Sequence, residues 1–343
     1  MKTVYSPRHH GHSGNFELFG GEIKPAFEMP SRAEIVLARA KEVGLGDVLA
    51  PNEHTLATAA KVHKPDYLAF LPQVYDLWLA DGRTGSAIPF TWPIRGLRND
   101  RVPDSIDGKL GFYSMDGGAS FVAGTWDAIK SSQDVALTAA TLIQQGERAA
   151  FALCRPPGHH AGSHFFGGYC YINNIAVAAQ HLLDHGAKRV SILDVDYHHG
   201  NGTQQIFYAR ADVQVLNLHG DPMFEYPYFL GHADEIGDGI GRGLNTNYPM
   251  PAGTEYAQWS EALDDACQQL AAYKPDIVLV SLGVDTFEND PISQFKLKTS
   301  DYPKIGKRIR QLGLPTLFVM EGGYAVAEIG VNAVGVLTGF ESQ

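Results

Sequence analysis

The chain has 343 residues, 44% of them hydrophobic, and a formal charge of −11; that is enough apolar content for one large core and the wrong sign for a face that meets nucleic-acid phosphates. No stretch approaches the ~18 apolar residues of a membrane helix, and "MKTVYSPRHH" lacks the apolar run of a signal peptide, so a soluble cytoplasmic protein with no membrane or nucleic-acid partner is expected. Cys154, Cys170 and Cys267 are too few and too irregularly spaced for a disulfide framework or a thiolate zinc site.

Near the N-terminus, "RHHGH" offers His9, His10 and His12 as potential metal ligands, although a solvated or entrance loop is the plainer reading. The segment from about 81 to 123 is rich in Gly, Pro, Arg and Asp and shows no long periodic run. Its aromatic and branched residues, as in "TWPIRGLRND", disfavour disorder, so an ordered loop insertion near the active-site entrance or a dimer contact is expected. No linker or charge run divides the chain, which predicts a single domain over 1–343.

From residue 149 onward five short apolar runs each lead into polar or glycine-rich residues: "AAFALCRPPGHH", "RVSILDVDYHHGNG", "VQVLNLHGDP", "DIVLVSLGVDTFEND" and "TLFVMEGGYA". Helix-like segments separate them, including "CYINNIAVAAQHLLDHGAKR" and "AQWSEALDDACQQLAAYKP". This alternation predicts an α/β protein with a mostly parallel sheet covered by helices on both faces. In such sheets ligands bind outside the carboxyl ends of the strands, where all five runs carry their chemically capable side chains.

The densest of these ends is "DVDYHHGNG". Period-two alternation sends Asp194 and Asp196 to one side, and two neighbouring carboxylates are costly without a cation between them. Asp196 and His198 have the donor types of a divalent-metal site, which as a catalytic centre needs a third protein ligand. Asp285, directly after an apolar run and with Gly283 to bend the chain, is the best candidate. A metal held by two carboxylates and one imidazole has its charge formally neutralised and needs a separate base. "RPPGHHAG" supplies His159 and His160, whose titration must be coupled because two adjacent imidazoles are not both cheaply charged. Tyr324 in "MEGGYA" offers a phenol to the oxygen where charge develops during attack on a carbonyl.

Together "RPPGHH", "GGYCYINN", "DVDYHHGNGTQ", "NLHGD", "SLGVDTFENDPIS" and "MEGGY" resemble the histone deacetylase superfamily and, within it, bacterial acetylpolyamine amidohydrolases, whose "ELFGGE"-type segment is similar too. The likeness runs from near Phe16 to the C-terminus. It implies the arginase–deacetylase fold, a three-layer α/β/α arrangement, and a zinc-dependent hydrolase with one Zn2+ per chain. By position, Asp196, His198 and Asp285 would be the zinc ligands, His160 the general base and acid, His159 its hydrogen-bonding neighbour, and Tyr324 the group that polarises the scissile carbonyl. Asp194 would orient His159 and help to hold a structural K+ with the backbone carbonyls of Asp196, His198 and Leu218. Relatives usually carry serine where this chain has Asn217, whose amide oxygen would take its place. Asn201 stands where many relatives have Asp, giving His160 a neutral partner and a lower pKa.

The resemblance further implies a tunnel walled by Tyr169, next to Gly168, and by Tyr226. It also implies acidic residues in the insertion that meet a substrate's distant ammonium groups: Asp107 falls in the matching stretch, while Gly118 stands where a second acid is expected, two residues from Asp116. The substrate class implied is a small cationic acetylated amine such as acetylputrescine or acetylcadaverine, handled by a homodimer. An acetyllysine protein deacetylase and a non-catalytic acetyl-amine sensor are the alternatives, and a two-metal ureohydrolase would need more Asp and His ligands than this chain offers. Ferrous iron suits the same donors as zinc.

Overall fold

The computed structural model describes residues 1–14 and 16–342. Among these described residues ten strands form: β1 (Lys2–Val4), β2 (Glu17–Phe19), β3 (Glu22–Lys24), β4 (Val48–Leu49), β5 (Ala149–Ala152), β6 (Val190–Asp194), β7 (Val213–Gly220), β8 (Asn245–Met250), β9 (Ile277–Leu282) and β10 (Thr316–Met320). Eight make one sheet in the order β4-β1-β5-β10-β9-β6-β7-β8, every pairing parallel. The antiparallel hairpin β2-β3 is separate.

The central strands read as apolar runs because both faces are covered. Alternate residues belong to different cores: Ala150, Ala152, Ile192 and Leu279 pack beneath the helices Thr125–Gln144 and Asn174–Asp184. Phe151, Leu193, Val280 and Phe318 pack on the other face, against Ser31–Glu42, Tyr256–Tyr273, Tyr302–Arg310 and Ile329–Glu341. The result is the three-layer α/β/α arrangement.

Helix boundaries follow local chemistry. The Asn173 side chain accepts from Ala176 N–H at 3.0 Å and opens Asn174–Asp184. Gly186, at φ +113, turns the chain out just after it. Tyr256–Tyr273 instead ends on Lys274 in the left-handed region, where glycine is usual. The segment 81–123 contains one short helix, Ile106–Phe112, and is tied down by bridges Ala87–Phe121 and Ser114–Phe166. No helix among the described residues is long and apolar enough to cross a membrane.

Candidate active site

β6 ends at Asp194, level with Asn217 of β7 and Ser281 of β9. Asp196 and His198 lie just beyond that edge and Asp285 just beyond β9, so adjacent strands deliver all three to one place. Their ligand atoms lie within 4.8 Å of one another. His198 Nδ1 is 3.0 Å from Asp285 Oδ2 and 3.5 Å from Asp196 Oδ1. Backbone donors aim the carboxylates: Tyr197 N–H donates to Asp285 Oδ1 at 2.8 Å, and Gly322 N–H to Asp196 Oδ2 at 2.8 Å. A Cβ on Gly283 would fall 2.0 Å from Asp196 Oδ2, and one on Gly322 2.5 Å from Asp285 Oδ2. Both positions need glycine so that backbone can close around the carboxylates.

Electrostatics show what this trio requires. Burial, then repulsion from Asp196, pushes Asp285 up to about 7. Burial also opposes charge on Asp196, but positive His159 and His198 outweigh it and hold that carboxyl below its usual range. Burial works against a charged His198 as well, and its hydrogen bonds to Asp196 and Asp285 reverse this, raising it to about 10. Two buried carboxylates around one imidazole therefore call for positive charge among them, and these oxygen and nitrogen donors fit a divalent ion.

β5 leads into Pro156–His160. His159 Nδ1 lies 3.0 Å from Asp194 Oδ2. Burial disfavours its charged form, yet Asp196 and Asp194 raise it to about 10. His160 Nδ1 lies 2.7 Å from Asn201 Oδ1, an acceptor that leaves the lone pair on Nε2. Burial first, then repulsion from His159 and His198, lowers His160 well below the ordinary histidine range. The adjacent imidazoles are thus pushed in opposite directions, as expected of neighbouring rings that are not both cheaply charged.

Beyond β10, Glu321 Oε2 accepts from Gly158 N–H at 2.7 Å and His159 N–H at 3.1 Å, bracing the histidine turn. Arg32 reaches from its helix to the carbonyls of Gly323 and Glu321, each at 2.6 Å, and its guanidinium lies 4.6 Å from the Tyr324 ring centroid. Glu28 accepts from Arg32 at 2.9 Å and Arg155 at 2.8 Å. Asp290 Oδ2 accepts from Tyr324 N–H at 2.7 Å and Ala325 N–H at 3.2 Å. Burial keeps the Tyr324 phenol protonated by raising its pKa well above the ordinary value.

His160, His198 and Tyr324 line a cavity of about 990 Å³ whose walls include Gly168, Tyr169 and Tyr226. Tyr169 sits at φ +66, a strained conformation for a non-glycine residue. Its hydroxyl donates to Glu17 Oε1 of the hairpin at 3.0 Å. The described lining includes the acids Glu17, Glu28, Asp116 and Glu225 but no lysine or arginine. Ile88, Pro89, Phe90, Trp92 and Asp116–Gly118 bring the segment 81–123 into the wall.

Asp107 departs from the expectation. It is not among the lining residues, and both its oxygens are taken by Arg83, one of those contacts at 2.6 Å. Asp116 lines the cavity instead. Asn217 Oδ1 accepts from Gly200 N–H at 3.2 Å, and Leu218 is buried within β7. The N-terminal histidines also differ from a solvated loop: His9 and His12 are buried, His12 lines the cavity, and only His10 is exposed. His9 and His10 do approach Glu34, but His9 Nε2 already contacts the Tyr5 hydroxyl at 3.0 Å.

Sequence reasoning missed Arg32, Glu28, Glu17, Asp290 and Glu321. For Glu321 a signal existed, a lone acid directly after an apolar strand. For Arg32 and Glu28 there was none, since an acid four residues before an arginine reads as a surface pair.

The sequence pattern of the histone deacetylase domain matches residues 26–339. The chain is 57% identical over 341 residues to acetylpolyamine amidohydrolase 2 of Pseudomonas aeruginosa, covering 99% of each. It is 52% identical over 339 residues to the acetylpolyamine amidohydrolase of Mycoplana ramosa, again covering 99% of each. The crystal structure of acetylpolyamine aminohydrolase from Burkholderia pseudomallei superposes with a TM-score of 0.94 at 38% identity, covering 100% of this chain and 99% of that one.

Proposed function

Because the chain belongs to the histone deacetylase family, we propose that it hydrolyses N-acetylated aliphatic amines, acetylpolyamines such as acetylputrescine and acetylcadaverine first among them, to acetate and the free amine. The observation that carries this reading is the meeting of Asp196, His198 and Asp285 with His160 and Tyr324 at a cavity whose described walls carry acids and no basic side chain apart from histidine. An acidic, aromatic-walled cavity suits a slender cation.

Asp196, His198 and Asp285 would hold one divalent ion, zinc in this reading, which supplies Lewis acidity to the attacking water and the amide carbonyl. Neutral His160 takes a proton from the water at Nε2 and later gives it to the departing amine nitrogen. Asn201 fixes its tautomer. His159, charged and anchored on Asp194, keeps a second proton off its neighbour. The Tyr324 hydroxyl donates to the carbonyl oxygen as it becomes negative, and Arg32 and Asp290 hold the loop that carries it. Tyr169, Tyr226 and Gly168 would flank the alkyl chain.

The same reading takes 1–343 as one deacetylase domain. A potassium ion beside Asp194, with the carbonyls of Asp196, His198 and Leu218, belongs to it through the resemblance. A homodimer is supported by the exposed apolar side chains on the cavity rim, among them Leu18, Ile23, Phe90 and Phe224. A cytoplasmic location suits three buried, unpaired cysteines. The test is turnover of acetylputrescine, acetylcadaverine and an acetyllysine peptide under the same conditions. The account expects the free acetylated diamines to win in kcat/KM, and a preference for the peptide would move the assignment to protein deacetylation.

A further inference from the structure

Tyr226 stands over the reacting groups, its ring centroid 5.1 Å from that of His160 and 6.0 Å from that of His198. A tyrosine here brings a hydroxyl into an apolar wall, and a buried hydroxyl needs a partner. That partner is Asp116: the phenol donates to Asp116 Oδ2. The same oxygen accepts from Gly168 N–H at 3.0 Å, one residue before Tyr169. Oδ1 accepts from Gly118 N–H at 2.8 Å, within its own loop. One carboxylate of the segment 81–123 thus holds the ring of one wall and the backbone that carries the ring of the other.

The surroundings leave no slack. Gly168 adopts φ +51, and a Cβ there would lie 2.4 Å from His160 Cδ2 and 2.8 Å from the Tyr226 hydroxyl oxygen. A Cβ on Gly167 would lie 2.2 Å from Met115 Cγ and 3.2 Å from Asp116 Oδ1. Wall backbone, imidazole, phenol and loop are therefore in mutual contact, and Tyr226 cannot move back while its hydroxyl is held. Burial raises the Asp116 pKa, while hydrogen bonds from Tyr226, Gly118 and Gly168 oppose that rise. All of these donors are neutral, so the carboxylate's evident work is to gather them.

We propose that Asp116 is a positioning residue that sets the width of the substrate tunnel by pinning Tyr226 and the Gly168–Tyr169 turn, so that the enzyme accepts unbranched aminoalkyl chains and rejects thicker chains of equal charge. This rests on the acetylamine hydrolase reading above. It concerns thickness, not the recognition of a distant ammonium group. Asp116 belongs to an insertion and Tyr226 to a loop after β7, so the width is set by a contact between segments 110 residues apart.

The test compares mono-N-acetylputrescine with mono-N-acetyl-p-xylylenediamine, which has the same terminal charge on an aromatic and therefore thicker spacer. The ratio of their kcat/KM values is measured for the unaltered enzyme, Tyr226→Phe, Asp116→Ala and Asp116→Asn. Releasing the wall should let the thick substrate gain on the linear one by about 10-fold in Tyr226→Phe and Asp116→Ala, chiefly through a lower KM. Asp116→Asn, which can still engage the phenol, should shift the ratio less. The double variant Tyr226→Phe/Asp116→Ala should fall well short of the product of the two single changes. Melting temperature and bound metal are followed in parallel, and Tyr226→Phe, which removes one oxygen only, stands in if Asp116→Ala does not fold. An unchanged ratio in Tyr226→Phe, or multiplicative effects in the double variant, would overturn the inference. An unaltered enzyme that hydrolyses neither amine would instead overturn the reading beneath it.

Discussion

The floor and the mouth of the cavity are built on opposite plans. On the floor, Asp196, His198 and Asp285 are 1%, 7% and 0% exposed, each just beyond a strand end, with backbone donors aiming both carboxylates. At the mouth, Leu18, Ile23 and Phe224 are 75%, 74% and 75% exposed and sit on a two-stranded hairpin and a loop outside the main sheet. In the proposed reading, chemistry that tolerates no displacement falls to the sheet, while selection among substrates falls to segments outside it. Asp116 stands at the junction, a residue of the segment 81–123 whose hydrogen bonds reach the Tyr226 hydroxyl and Gly168 N–H.

Changes at the floor should have the largest effects. Asp285→Asn preserves an acceptor for Tyr197 N–H but removes the charge of a proposed metal ligand; bound metal measured by plasma mass spectrometry should fall well below one per chain, with turnover lost. Full metal occupancy in this variant would break the contrast, because some other group would then be doing the holding. Tyr324→Phe should retain metal and lose about 10²–10³ in kcat with little change in KM, since the phenol matters most when the carbonyl oxygen becomes negative. Steady-state kinetics showing a pure KM effect would assign Tyr324 to binding instead.

In the cavity wall, Glu28→Gln leaves Arg32 and Arg155 buried without their shared anion, and urea unfolding at pH 7 should show a loss of about 3–5 kcal/mol. Burial alone would raise the Glu28 pKa, but Arg155 and Arg32 bring it down to about 2 from an ordinary 4.5. The folded value is depressed, so this stabilisation is complete above pH 4.5 and is lost as pH falls toward 2. The difference between variant and unaltered protein should therefore shrink across that window, and a constant gap would show that the effect is packing and not charge. Changes at the mouth should be the smallest in folding terms: Phe90→Ser with Phe224→Ser, both exposed on the cavity rim, should alter unfolding free energy by only about 0.5 kcal/mol per chain. Sedimentation should nevertheless show weaker self-association, and unaltered association would remove the support for a dimer through this rim.

The floor was legible in the sequence for the same reason that it is rigid. Its residues follow short apolar runs, and parallel sheets gather the carboxyl ends of strands, so Asp196, His198, Asp285, His160 and Tyr324 could be placed together by topology alone. Of the mouth, the sequence marks only the segment 81–123, by its composition and lack of periodicity. Local composition could not tell which of its acids faces the cavity, since that is decided by contacts far away in sequence: Arg83 takes Asp107, 24 residues distant, while Asp116 meets Tyr226, 110 residues distant. The buried Glu28–Arg32–Arg155 cluster was hidden for a similar reason. Arg155 lies beside a recognisable strand end, but its partner is 127 residues away in a segment with no marked motif. His9 and His12 read as part of a solvated or entrance loop; His12 does line the cavity, but nothing in "RHHGH" announces that Arg155 and Thr125 will cover them.

Crystals of the protein prepared with zinc, measured on both sides of the zinc absorption edge, test the central claim most directly. One anomalous peak per chain is expected, within about 2.0–2.2 Å of Asp196, His198 and Asp285 donor atoms, with His160 and Tyr324 facing it. A peak at His9, His10 and Glu34 with none between these three residues would contradict it.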